Sequence, residues 1–506
     1  MRYLLTTLLF VFTTSMICAQ STYFNVEETT PFKDIKKGSD LVDVHQFDSG
    51  ETILIRAIKK EYVLSAFDAS HRLVANIELD KAKKETIIGS VATEGLVRIF
   101  TSDKVDKENI DVYCRTYFLS SKRIEKVKLY SQETGRRRKT SIFTLFEPAP
   151  KKYQENFRVS PNGEYIAFSI DNINSKTTSS LIRVYDKNLT EIYEKEYVKE
   201  TENLFQFDDF IITDDIEILT AGKLYKEGIS DKKKGKANYE YVIHKVSEDD
   251  HSFATINLGD NFIKEVRFAQ TDDAIRLLGF YSEKSSFRMK GGISYAFNGT
   301  DISNVTPKVT PFPASIYDDI YNENKAERKK KKEKEFRSYY LDYSIIDEEG
   351  NAYLTAEQFY ITQHTFNNGP NGAMSTVTTF HYDNILVIKF DKEGNLVWGR
   401  SIFKKANSPS YNAFAVDKKL HILLNTGKNI QEKSNGRKKV KKSFLEKSAL
   451  FDIVFDQDGN DTYQMVKEND GRKDFYSPNR GNYSFNQFIM ANLSKNKRQF
   501  LILTKK

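Results

Sequence analysis

The sequence predicts an all-β fold, a β-propeller most simply built from eight four-stranded blades, with seven as the competing count. Three observations predict it. A strand–turn–strand pattern recurs eight times, each copy two apolar runs joined by a tight, mostly acidic turn, centred on Gly50, Gly95, Gly163, Asp215, Asp273, Gly350, Lys418 and Asn496. The copies return at roughly 40 to 80 residues with almost no helical period between them, as radially repeated sheets do. Tyr and Phe dominate an aromatic content of 13%, which suits sheet faces that bury planar side chains against neighbouring sheets.

The first 19 residues read as a secretory leader: Arg2 is the charged start, Leu4 to Phe12 the apolar stretch, and Ser15 to Ala19 the cleavage region before Gln20. Cys18 as a lipid-attachment site is the competing reading, and Ile17 before it argues against that, because such sites want a small residue there. Residues 20–506 are expected to form one propeller domain. After cleavage Cys114 is the only cysteine, so stability is expected from core burial and ring closure rather than from a disulfide. No later stretch approaches the roughly 18 apolar residues of a membrane span. Together these features predict an exported protein, periplasmic or secreted and peripheral to a membrane at most.

Period-2 alternation and turn residues assign the blades. Blade one is Leu41 to Phe47, Thr52 to Ile58, Tyr62 to Phe67 and Leu73 to Leu79, with turns at Asp48-Ser49-Gly50 and Asp68-Ala69-Ser70. The next four run from Thr86 to Tyr130, Asn156 to Val198, Leu204 to Leu258 and Phe262 to about Ile302. Blade six covers Ser338 to Phe403 and blade seven Tyr411 to Val466. Only two strands then remain, Ser484 to Asn492 and Arg498 to Thr504, so Ser21 to Thr29 is expected to pair beside them and close the ring without leaving a sheet edge.

Two short motifs carry a resemblance. Val159-Ser160-Pro161-Asn162-Gly163-Glu164-Tyr165-Ile166-Ala167-Phe168-Ser169 resembles the repeat of Tol-system-type propellers, with Asn162 where that family usually has Asp. Phe390-Asp391-Lys392-Glu393-Gly394-Asn395-Leu396-Val397-Trp398 looks like the outer hairpin of quinoprotein-type propellers. Trp398 is the only Trp, so the repeated tryptophans of the second family are absent. The resemblance implies the fold and transfers no activity, cofactor or partner.

No nucleophile elbow, zinc helix or phosphate loop occurs in the sequence, and no cofactor or metal is predicted. Asp43, His45, Asp208, Asp209 and Asp342 fall on first strands, where they line the channel either as plain polar residues or as parts of a dispersed site. Asp456-Gln457-Asp458-Gly459-Asn460 spaces oxygen ligands as calcium loops do but lacks the closing Glu, so it reads as a hairpin turn. An insertion from Phe359 to Tyr382 reads as a projecting hairpin that includes His364 and Phe366, with His364 and His381 facing across the ladder.

Net charge is only +7, but four loop runs concentrate the positive charge. They are 136–139 (Arg136, Arg137, Arg138), 232–236 (Lys232, Lys233, Lys234), 325–337 (Arg328, Lys329, Lys330, Lys331) and 437–442 (Arg437, Lys438, Lys439, Lys441, Lys442). All lie in loops of one face, whereas the first-to-second turns of the opposite face are mostly acidic. Two functions follow as expectations. The leading one is a non-enzymatic binding or scaffolding module of the cell envelope, with the basic face and the hairpin engaging a protein or an anionic component: a lipid headgroup, lipopolysaccharide or acidic polysaccharide. Nucleic acid is disfavoured because the runs lack interleaved aromatics. The rival is a channel-mouth enzyme acting on carbohydrate or peptide.

Overall fold

The computed structural model describes residues 23–33, 39–93, 95–106, 109–133, 157–173, 178–198, 205–228, 230–367, 374–404, 406, 410–427, 430–432, 438–439, 448–469, 475–494 and 497–506. Eight four-stranded antiparallel sheets form the ring of a β-propeller. Blade one orders Asp40–Gln46, Thr52–Ala57, Glu61–Phe67 and Leu73–Asp80 from the channel outwards. The other innermost strands are Glu85–Thr93, Phe157–Val159, Phe205–Ile212, Phe262–Gln270, Tyr339–Ile346, Tyr411–Val416 and Asn482–Ser484. The leader lies outside the described residues.

Blade eight closes the ring from both ends of the chain. Its order is Asn482–Ser484, Gln487–Ala491, Phe500–Lys505 and, outermost, Phe24–Glu28. Phe24 stands opposite Lys505 and Glu28 opposite Leu501. Phe24 is 1% exposed and sets its ring edge-on to Phe414 and His421 of blade seven. Asn496, on which the last sequence copy centres, lies outside the described residues; the tight turn between the first two strands of this blade is Phe485-Asn486, with φ of 49° and 60°. Without a glycine to mark its positive φ values, that turn carries no sequence signal.

Two further expectations are corrected. Blade five ends with Lys308–Pro311 rather than near Ile302. The run at 325–337 is not an irregular loop: two short helices, α1 (Ala314–Ile320) and α2 (Glu323–Lys331), join blades five and six. Asn322 caps α2 by accepting from the Lys325 N–H, Ala326 is fully buried, and the four basic residues of the last turn suit the negative end of the helix dipole.

The blades meet through apolar faces, each cluster drawing on two adjacent sheets. Turn chemistry repeats as well. Asp347, Asp391 and Asp456 each open an Asp-x-x-Gly-Asn turn, and each accepts the N–H of the Asn four residues on through Oδ1, at 2.9, 2.7 and 2.9 Å. The Asp456 segment is thus a hairpin turn, and its Gln457 carbonyl accepts from Trp398 Nε1 at 3.0 Å.

Five innermost strands carry an extra residue at the same height: Val42, Ile88, Asp208, Lys264 and Asp342. Such bulges bend the strand and re-aim its side chains. In blade four the bulge brings the chain so close that a Cβ on Gly222 would stand 2.4 Å from the Gln206 carbonyl.

Ring closure predicts that Phe24→Ala, although near the start of the chain, lowers stability by about 3–5 kcal/mol in chemical denaturation. Deleting 495–506 is expected to abolish cooperative unfolding altogether. A truncated protein with an unchanged thermal midpoint would contradict this closure.

Candidate functional site

The channel candidates are brought to the ring's inner wall, but each is engaged by its own partners. Ser90 Oγ donates to Asp43 Oδ2 at 2.7 Å, and His45 Nε2 stands 2.9 Å from the same hydroxyl, so the three residues clasp blade one to blade two. With its hydroxyl proton directed at the carboxylate, Ser90 is not set up as a nucleophile. Asp209 holds Arg158 of blade three and accepts the Phe268 N–H of blade five at 2.8 Å. Glu265 accepts the Leu341 N–H at 3.1 Å, and Tyr411 donates to Asp342 at 2.5 Å. Sequence reasoning missed Ser90, Arg158 and Glu265, because the pairing needs the bulges and the bulges leave no mark in composition.

Asp208 differs from the rest. Tyr241 donates to it at 2.5 Å, and burial pushes its carboxyl up to about 6, with Glu265 and Asp231 adding to the rise against the pull of Lys223 and Tyr241. The charged form is therefore disfavoured by folding. That cost is absent below the ordinary aspartate range and grows as pH rises to about 6.

A second site is a cavity of about 710 Å³ where the helices, the entry to blade six and the base of the long hairpin meet. The hairpin strands Ala352–Asn367 and Met374–Phe390 run on beyond the sheet. Where they leave it, Asp383 and Asn384 stand against the single residue Gln358, and this bulge puts Gln358 and Asn384 into the cavity wall. The bulge also sets the register: His381 pairs with Tyr360 and stacks on it at 4.5 Å, while His364 pairs with Val377 and Phe366 with Ser375. The expected His364–His381 facing pair is not formed.

Lys325, Lys329 and Lys334 line the same cavity. Lys325 and Lys329, one turn apart on α2, place their ammonium groups 5.1 and 5.7 Å from the Tyr321 ring. The close Lys334 ammonium, then burial, then Lys325 and Arg328 pull the Lys329 amine down to about 8. The one carboxylate of the lining, Glu335, is turned away and accepts from Ser282 Oγ and the Glu283 N–H at 3.0 and 2.9 Å.

Elsewhere the basic runs behave differently. Lys233 pairs with Glu227, Lys236 with Asp260 at 3.4 Å, and Lys330 with Asp318 and Glu327 at 2.7 and 2.9 Å. Lys232 donates to the Lys284 carbonyl, and Lys234 occupies a turn with Gly235. Arg328 and Lys331 lie in the last turn of α2. The backbone of Lys438–Lys439 pairs with Gln431–Glu432, while Arg136, Arg137, Arg138, Arg437, Lys441 and Lys442 lie outside the described residues.

No family profile and no curated protein matches the chain. Among solved structures it is similar to the β-propeller domain of the Trilobed protease from Pyrococcus furiosus, at 11% identity and a TM-score of 0.35, covering 85% of this chain and 98% of that one. Prolyl oligopeptidase B from Galerina marginata gives 8% and 0.40, with 96% of this chain covering 56% of that protein. The polysaccharide lyase Uly1 gives 8% and 0.38, with coverage of 82% and 89%. The chain spans little more than half of the prolyl oligopeptidase. The fold, an eight-bladed β-propeller, is read from the eight four-stranded sheets of the chain itself. The leading expectation is corrected by the ion pairs: Lys233, Lys236 and Lys330 of the supposed docking face are neutralised in place. A non-enzymatic scaffold held by a broad basic face does not stand. Among the described residues no helix is long and apolar enough to cross a membrane.

Asp208→Asn keeps an acceptor for Tyr241 without the charge. It is expected to stabilise the fold at pH 7.5 by up to roughly 3 kcal/mol, the equivalent of about two pKa units, and by only about 1 kcal/mol at pH 4.5. Urea unfolding at the two pH values reads this directly.

Proposed function

We propose that the protein binds a small anionic ligand in the cavity between α2 and the hairpin base. The observation that carries this reading is the cluster of Lys325, Lys329 and Lys334, three like charges converging on one cavity whose single carboxylate is committed elsewhere. Like charges one helical turn apart destabilise a helix, so their convergence is explained by a ligand that neutralises them. Lysine ammonium groups are mobile point charges suited to carboxylate, sulfate or phosphate oxygens. The leader read at residues 1–19 would place this ligand outside the cytoplasm.

Citrate, a compact carboxylate probe, is expected to bind the wild-type protein in titration calorimetry and to bind Lys329→Gln/Lys334→Gln at least tenfold more weakly, with unchanged thermal stability. Because a bound anion favours the charged amine, affinity is expected to fall as pH rises from 7 to 9.5, through the depressed range of Lys329. Equal binding by the two proteins, or none by either, overturns the assignment.

A further inference from the structure

The wall of the cavity opposite the lysines has a different chemistry. Asn384 is 7% exposed and donates through Nδ2 to Gln358 Oε1 at 2.6 Å, which leaves its buried Oδ1 without a partner. The Tyr339 hydroxyl, on a side chain 1% exposed, lies within hydrogen-bonding reach of the same Asn384 amide. Such an orphaned acceptor costs about 1–3 kcal/mol, so it marks hydrogen-bonding capacity reserved for something else. Gln358 is half-buried, and its own amide N–H groups are uncommitted. Next to them stands Tyr360, its ring backed on one face by His381 and its hydroxyl donated to Asp383 at 2.7 Å.

A wall of neutral amides and hydroxyls set beside an aromatic ring matches a ring of hydroxyls with an apolar edge. Facing it, 5 to 6 Å above the Tyr321 ring, are unneutralised ammonium groups. Resting on the anionic-ligand reading above, we propose that the ligand is an anionic sugar unit: its carboxylate or sulfate lies on Lys325, Lys329 and Lys334, and its hydroxyls take up the free hydrogen-bonding capacity of Gln358 and Asn384. A cavity of about 710 Å³ has room for two to three linked sugars, in the size range of ordinary small-ligand sites. The bulge at Gln358 is the device that turns this wall inward, and bulges recur where a sheet presents a site.

Titration calorimetry with trigalacturonate, galactose 6-sulfate, galactotriose and citrate tests the assignment. Expected is tighter binding of trigalacturonate or galactose 6-sulfate than of citrate, with no binding of galactotriose. The carboxylated and sulfated sugars identify which anion is taken. Gln358→Leu is expected to lower sugar affinity at least tenfold while leaving citrate binding unchanged, and Lys329→Gln/Lys334→Gln to lower both. Gln358→Leu also removes the acceptor of Asn384 Nδ2, so an unchanged thermal midpoint and unchanged citrate binding are the controls that the fold is intact. Citrate binding with no gain for either anionic sugar, or sugar binding unaffected by Gln358→Leu, overturns the sugar assignment and leaves the anion site standing. Loss of all binding in the wild-type protein overturns both.

Discussion

The antiparallel pairing of Phe24–Glu28 with Phe500–Lys505 is the contact on which the rest of the ring depends. A blade buries its two faces only against its neighbours, so an open ring would leave the core beside blade eight half-built on each side. On one side that core joins Phe24, Phe414, Leu501 and Leu503; on the other Phe32, Phe67, Phe500 and Ile502. The aromatic rings there meet edge to face, Phe67 to Phe32 at 4.7 Å and Phe67 to Phe500 at 4.8 Å. Closure also removes the exposed edges that a row of sheets would otherwise present.

Closure by apolar faces alone would let neighbouring blades slide, and the inner wall supplies what prevents it. The bulges turn Asp43, Asp209, Glu265 and Asp342 along the ring, where each accepts a bond from an adjacent blade. Asn412 continues the seam into blade eight through the Pro478 and Gly481 carbonyls, and Gln46 completes it from blade one to Gln487. Buried polar links of this kind cost desolvation and return geometric definition. At Asp208 burial raises the carboxyl, so its charged form costs stability at neutral pH.

How much of this the sequence revealed depends on the range of the interaction that decides it. Blade count, strand order and the N-terminal contribution to blade eight follow from alternation and from turns such as Asp391-Lys392-Glu393-Gly394-Asn395, both local. The turn at Phe485-Asn486 was illegible because its positive φ values fall on residues that do not advertise them. Helix α2 was read as a loop because its composition is almost wholly charged; its stability comes from the Asn322 cap and from Ala326 packed among Ile316, Tyr317 and Phe336. The cavity was out of reach altogether. Lys329 belonged to a visible run, but Tyr321, Gln358 and Asn384 join it only through a bulge and a helix–helix junction that no single segment encodes.

The split blade also orders events during synthesis. Glu28 is made early, yet its partner Gln499 lies 471 residues further on. Phe24–Glu28 must therefore wait, unpaired and carrying the apolar Phe24, until Phe500–Lys505 has been made. Contacts of such sequence separation are slow to form and leave intermediates with uncovered edges. The hazard ends only when Phe500–Lys505 is made, which turns that strand into a checkpoint: a chain interrupted before it has no finished ring to bury Phe24.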